Sequence, residues 1–127
     1  PYWIYLQRQQ ATIRALNTPM PLLGAATILV TLVSAYLRRG QRLRCTACVV
    51  AALLLVGAGL ITRLANQPIN AVVMTWLPSQ PPADWEQLRD RWWHWHILRT
   101  LLGSAALLLV LVASISRPGV EKHASAK

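Results

Sequence analysis

The side chains of this chain that could do acid–base or anion-binding chemistry are gathered between positions 63 and 100. The stretch opens with Arg63, Asn66, Gln67, Pro68 and Asn70, passes through Trp76 and a proline cluster, and closes with Trp85, Arg89, Trp92, Trp93, His94, Trp95, His96, Arg99 and Thr100. Four of the six Trp and two of the three His lie between Trp85 and His96. On a helical wheel Trp85, Arg89, Trp92, His96, Arg99, Thr100 and Gly103 fall on one face, within about 100° of one another. That face joins cations, an imidazole and aromatic planes. His96 can take a proton near neutral pH. Arg99 or Arg89 can stabilise a phenolate or enolate, and Trp92 can stack on a ring. Arg63, Asn66 and Asn70 would close the site from the preceding helix, the two asparagines four positions apart and so on one side. Such a set suits a flat, apolar, weakly acidic organic molecule. A metal is not expected: His94 and His96 point apart, and no HExxH, Glu-x-x-His or cysteine set supplies partners. The plainer readings are that Trp93, Trp95 and Arg91 anchor the chain at a membrane surface, that the asparagines organise a helix break, and that His96 is a packing residue.

The elements that must position these residues are helices in lipid. The chain has 127 residues, 54% of them hydrophobic and only 13% charged, about half the charged fraction usual for soluble domains. Three uncharged runs, 15–37, 45–62 and 100–116, each approach the length a helix needs to cross hydrocarbon. A soluble bundle with unusually apolar helices is the alternative. The expectation is an all-α transmembrane bundle forming one membrane domain. It comprises an interfacial outer segment at 1–18, spanning helices at 19–37, 43–64 and 96–116, an outer loop and helix extension at 65–95, and a tail at 117–127. Thr18 would cap the first of these spans, with Pro19 at its first position. Gly40 would be the flexible point of the turn at 38–44. Pro68 would interrupt the second span's continuation, because it lacks an amide donor and disfavours α geometry at Gln67. Asp84 would cap a final helix of about 30 residues, with Gln87 completing a capping box.

The net charge of +9 would suit nucleic acid, but its placement argues against that partner. Arg38, Arg39, Arg42 and Arg44 fill one short loop without an acid, as in a cytoplasmic loop facing anionic lipid. This puts the 38–44 loop and the C-terminus on the cytoplasmic side of a bacterial inner membrane, and 65–95 outside. A chain whose residues 1–17 are outside calls for one more span upstream, giving a four-helix bundle whose first helix precedes Pro1. Cys45 and Cys48 form a C-x-x-C pair at the membrane edge of an apolar helix. Structural thiols are the expectation there, and a redox or metal role the alternative.

The patterns Asn66-Gln67-Pro68-Ile69-Asn70, three residues after Arg63, and Trp85-x-x-Leu88-Arg89-x-x-Trp92-x-x-x-His96-x-x-Arg99-Thr100 together resemble the anthrone oxygenase-like integral membrane proteins. The resemblance runs from Pro1 to about Ser116 and implies a four-helix membrane domain. It also implies an oxygenase that converts an anthrone-like or quinol-like molecule with O₂ and no tightly bound cofactor. His96 would then be the base, Arg99 and Arg89 would hold the phenolate-like oxygen, and Asn66 and Asn70 would orient the ring oxygens. Two other readings stay open. One is a non-catalytic membrane subunit that contacts a partner protein, or a second copy, through its Trp-rich outer surface. The other is a redox protein carrying quinone or haem, with His96 as ligand.

Overall fold

In a computed structural model, described here for residues 1–115, the chain is all helical apart from its connections. Helix α1 spans Tyr2–Leu16, α2 Pro19–Leu37 and α3 Arg42–Ile61; a π-helical turn, Thr62–Asn66, leads directly into α4, Gln67–Val73, and α5 spans Trp85–Ile115. Three helical rods are long and apolar enough to cross a membrane: Pro19–Leu37, Arg42–Val73 and Trp85–Ile115.

The burial pattern identifies the solvent these rods expect. Within α2, α3 and α5 the buried residues are small: Thr31 and Ala35 on α2, Cys48, Ala51 and Ala52 on α3, Ala106 and Ala113 on α5. Their large residues, among them Leu22, Leu29, Leu53, Leu107 and Leu108, point outward and are more than half exposed. In water this arrangement would forfeit the hydrophobic driving force. In lipid it is the expected one, because small residues let helix backbones approach while Leu and Val lie against acyl chains.

Helix α3 is the central rod, packing along α2 on one side and α5 on the other. Near the 38–44 turn the three helices meet at Ala35, Cys48 and Ala113, and Arg38 donates a hydrogen bond to the Ala113 carbonyl at 3.1 Å. Both cysteines are free thiols, with Cys48 wholly buried in this contact. At the other end α1 lies across the bundle, its Leu6 and Ile13 packed on Ile69 and Val73 of α4. Gln10 fastens it by donating to the carbonyls of Val73 and Trp76, at 3.0 and 3.1 Å.

Several local expectations are corrected. Pro68 does not interrupt the helix: α3 continues through the π turn into α4. The Gln67 amide bonds to the Thr62 carbonyl, five residues back. The wider turn relieves the contact between the proline ring and the carbonyl four residues earlier. Arg63 accordingly lies within this turn rather than at a helix end, and it donates to Gln67 Oε1 at 2.9 Å. Thr18 does precede α2, with proline in the first turn, but its side chain makes no capping bond. The capping box at α5 does not form among the described hydrogen bonds; the Leu88 amide returns to the Asp84 backbone carbonyl at 3.1 Å. Among the described residues no glycine has positive φ, so the turn at Gly40 places no left-handed demand on it. Residues 77–80 form a turn closed by a Leu77–Gln80 bridge. The tail expected at 117–127 lies outside the described residues.

Candidate functional site

The site forms where the π turn faces α5. A π turn places one extra residue in the helical circuit and so re-aims its side chains. Asn66, inside that turn, is 3% exposed and donates through Nδ2 to the Trp92 carbonyl at 3.2 Å. Asn70, one turn on, accepts from Trp92 Nε1 at 2.9 Å. The two asparagines therefore close on one tryptophan from the same side, and its indole is locked in place.

Trp92 in turn positions the imidazole. The two rings lie nearly parallel, with centroids 4.7 Å apart and 10° between planes. Trp93 meets the edge of the same imidazole at 87°. Arg99, one turn further along α5, brings Nε and Nη2 to His96 Nδ1, at 3.3 and 3.0 Å. A guanidinium only donates, so Nδ1 is the acceptor and the neutral ring carries its proton on Nε2. Arg99 Nη1 also donates to Thr62 Oγ1 at 3.4 Å, and that hydroxyl donates to the Ala58 carbonyl at 2.9 Å. All of these Arg99 partners are neutral. Among the described residues the one ion pair is Arg89–Asp90, so no carboxylate compensates the Arg99 charge. A part-buried guanidinium on an apolar helix without a counter-ion is costly unless an anion visits it.

Trp92, His96 and Arg99 line a cavity of about 300 Å³ with Thr62, Asn66, Gln67 and Asn70 on one side and residues of α1 and the α1–α2 junction on the other. This size is at the lower end of small-molecule sites. Two buried polar atoms belonging to its wall have no partner: Asn66 Oδ1 and Gln9 Nε2. A buried acceptor and a buried donor left unsatisfied cost about 1–3 kcal/mol each.

The structure brings together His96, Arg99, Trp92, Asn66 and Asn70 and leaves three expected members outside this cavity. Arg89 pairs with Asp90 at 2.8 Å and sits over the Trp85 ring at 5.0 Å. Trp85 packs between Tyr2 and Tyr5 of α1, at centroid distances of 5.3 and 5.6 Å. Arg63 lines two neighbouring cavities instead. The one-face wheel of α5 holds, but only from Trp92 onward does that face meet open space. Gln9, Thr62 and Met20 are wall residues that the sequence reading missed. The signal for Gln9 was present: Leu6, Gln9, Gln10 and Ile13 follow i, i+3, i+4, i+7, which puts two amides in the buried stripe of α1. Among the described residues no group of three or more His, Cys, Asp or Glu could hold a metal ion.

The fold and the site define a polytopic helical membrane protein with a polar, aromatic-lined cavity near one end of its bundle. The sequence model of the family described as anthrone oxygenase matches residues 10–109, and the chain belongs to that family. No curated protein and no solved structure matches it significantly.

Proposed function

We propose that this protein is a membrane-embedded oxygenase for a flat, apolar phenolic or enolisable small molecule of the anthrone or quinol type. The observation that carries this reading is the Arg99–His96 contact on the cavity wall beside Trp92. In it a cation without a carboxylate partner occupies the basic nitrogen of a neutral imidazole. A substrate ring stacked beneath Trp92 would present its oxygen to Arg99. As the guanidinium turns to that oxygen it releases Nδ1, which is then free to remove the ring CH₂ proton of an anthrone-type substrate. Base and anion stabiliser are thus switched on by one movement. The resulting carbanion, its charge spread onto the oxygen held by Arg99, adds O₂ as oxidant. The peroxide takes up a proton to give a hydroperoxide, which loses water to leave a ketone. In total, CH₂ and O₂ become C=O and H₂O. Asn66 Oδ1 and Gln9 Nε2 supply the acceptor and donor that fix the ring oxygens. The membrane orientation that fits the charge distribution puts the 38–44 loop on the cytoplasmic side and the cavity toward the outer face.

The test is O₂ uptake and product absorbance with an anthrone, using purified protein in nanodiscs. Turnover that disappears in both His96→Ala and Arg99→Ala, with helicity retained, is the expected outcome. Wild-type turnover in both variants would reject the scheme.

A second reading is a non-catalytic subunit. Trp93 and Trp95 are 50% and 38% exposed beside the site and offer a docking surface for a partner protein. Such a subunit would co-purify with its partner and tolerate loss of His96.

A further inference from the structure

Arg99 faces two cavities at once. Besides the one beneath Trp92, it lines a larger groove of about 440 Å³ between α2, α3 and α5. The two share Met20, Pro21, Thr62, Gln67 and Arg99, so they meet at the guanidinium. The groove is polar only at that meeting end. From there it runs past Gly24, Ala25 and Ile28 on α2 and past Gly59, Ala58 and Leu55 on α3, with no polar side chain among them. From Met20 to Ile28 is eight residues of helix, about 12 Å of rise.

Two of its small residues leave room rather than touch another helix of this chain. A Cβ built on Gly57 would meet Leu102 at 3.5 Å, whereas one on Gly24 or Gly59 would meet nothing within 4 Å. Both glycines are exposed, one on each of two apolar rods, and no residue of the described bundle fills the space between them. At the head end stand an uncompensated Arg99 and the buried, unpartnered Oδ1 of Asn66. A ligand that uses the whole space therefore has an acidic, hydrogen-bonding ring and a hydrocarbon chain.

Resting on the function proposed above, we propose that the site takes a tailed phenol or enol. Its ring lies beneath Trp92 with its oxygen at Arg99, and its alkyl or isoprenoid chain lies along the limb between Gly24 and Gly59. At roughly 1.3 Å of advance per carbon, a limb of about 12 Å holds a chain of about nine carbons. The chain leaves one hydrocarbon environment for another, so selectivity here comes from shape and packing rather than from transfer out of water.

The experiment is equilibrium binding, by tryptophan quenching, of methylresorcinol and nonylresorcinol to the full chain in phosphatidylcholine nanodiscs. Gly59→Leu, and independently Gly24→Leu on the opposite wall, should weaken the nonyl ligand at least tenfold and leave the methyl ligand within twofold. Partition into the bilayer is common to wild type and variants, so it cancels. Unchanged nonyl binding in both variants, or equal loss of both ligands, would overturn the tail assignment. That includes the case in which lipid chains alone fill the limb. Arg99→Ala should weaken both ligands; if it alters neither, the ring placement and the function built on it fail, while a selective Gly59→Leu effect would still stand.

Discussion

Arg99 and His96 lie one turn apart on α5, with two guanidinium nitrogens 3.3 and 3.0 Å from a single imidazole nitrogen. The contact stores a base in a blocked form, because the lone pair needed for proton removal is the one Arg99 occupies. Replacing His96 with Ala should lower turnover by about 10²–10⁴-fold, the usual worth of a positioned base. Arg99→Ala should do comparable damage by removing the anion site. Arg99→Lys should recover part of the activity, since an ammonium offers charge without the fork that spans His96 and Thr62. Circular dichroism of each variant would show whether the loss is chemical rather than structural.

Arg89 provides the contrast. It shares the helix face with Arg99 in the wheel, yet its guanidinium is held by Asp90 and by the Trp85 ring. Its salt bridge is solvent-accessible, so it contributes little. Arg89→Ala is expected to leave turnover within about twofold of wild type and stability within about 1 kcal/mol. A hundredfold loss of turnover would show that the cavity beneath Trp92 does not delimit the site.

The π turn can be tested by deletion. Removing Ala65 takes out the extra residue, so Asn70 keeps its register against Trp92 while Asn66 loses its projection. In a regular α-helix Pro68 would then clash with the carbonyl four residues back, costing about 3 kcal/mol. The deletion alone should be strongly destabilised. The deletion combined with Pro68→Ala should regain most of that stability yet remain at least tenfold less active. Unfolding by titrated detergent denaturant and O₂ uptake would separate the two effects.

Tyr5 links α1 to pH. Burial raises its phenol above the ordinary value near 10; Arg89 opposes this, while Asp90 and Tyr2 add to it. A pKa raised by folding means the folded state favours the neutral phenol. The associated stability is present below the unfolded value of about 10 and is lost as pH climbs through the raised folded value. Wild-type protein should therefore lose α1 docking in alkaline solution, read as a change in the fluorescence of Trp85, which packs against Tyr5. Tyr5→Phe should remove that transition. Near neutrality it should be neutral or stabilising by up to about 1 kcal/mol, because the Tyr5 hydroxyl is buried without a partner. An unaltered alkaline transition in the variant would point to a different group.

The membrane character, the three rods and the shared face of Trp92, His96 and Arg99 were legible in the sequence. They depend on properties carried by consecutive residues: uncharged runs long enough to span hydrocarbon, a cationic turn, and a helical repeat that puts Trp92, His96 and Arg99 on one face. The correspondence of Asn66 and Asn70 to that face was legible too. What they hold was not. Whether Pro68 breaks a helix or is absorbed by a π turn depends on the neighbours that can stabilise the wider turn, here Trp92 reaching back to both asparagines. Which residues of a polar face meet a cavity depends on where α1 crosses the bundle. It covers Trp85 with two tyrosines, leaves Arg89 to Asp90, and brings Gln9 to the wall. Periodicity is a property of one helix. The uncompensated charge of Arg99 and the groove between Gly24 and Gly59 arise from distances between helices, and only the packed bundle decides those.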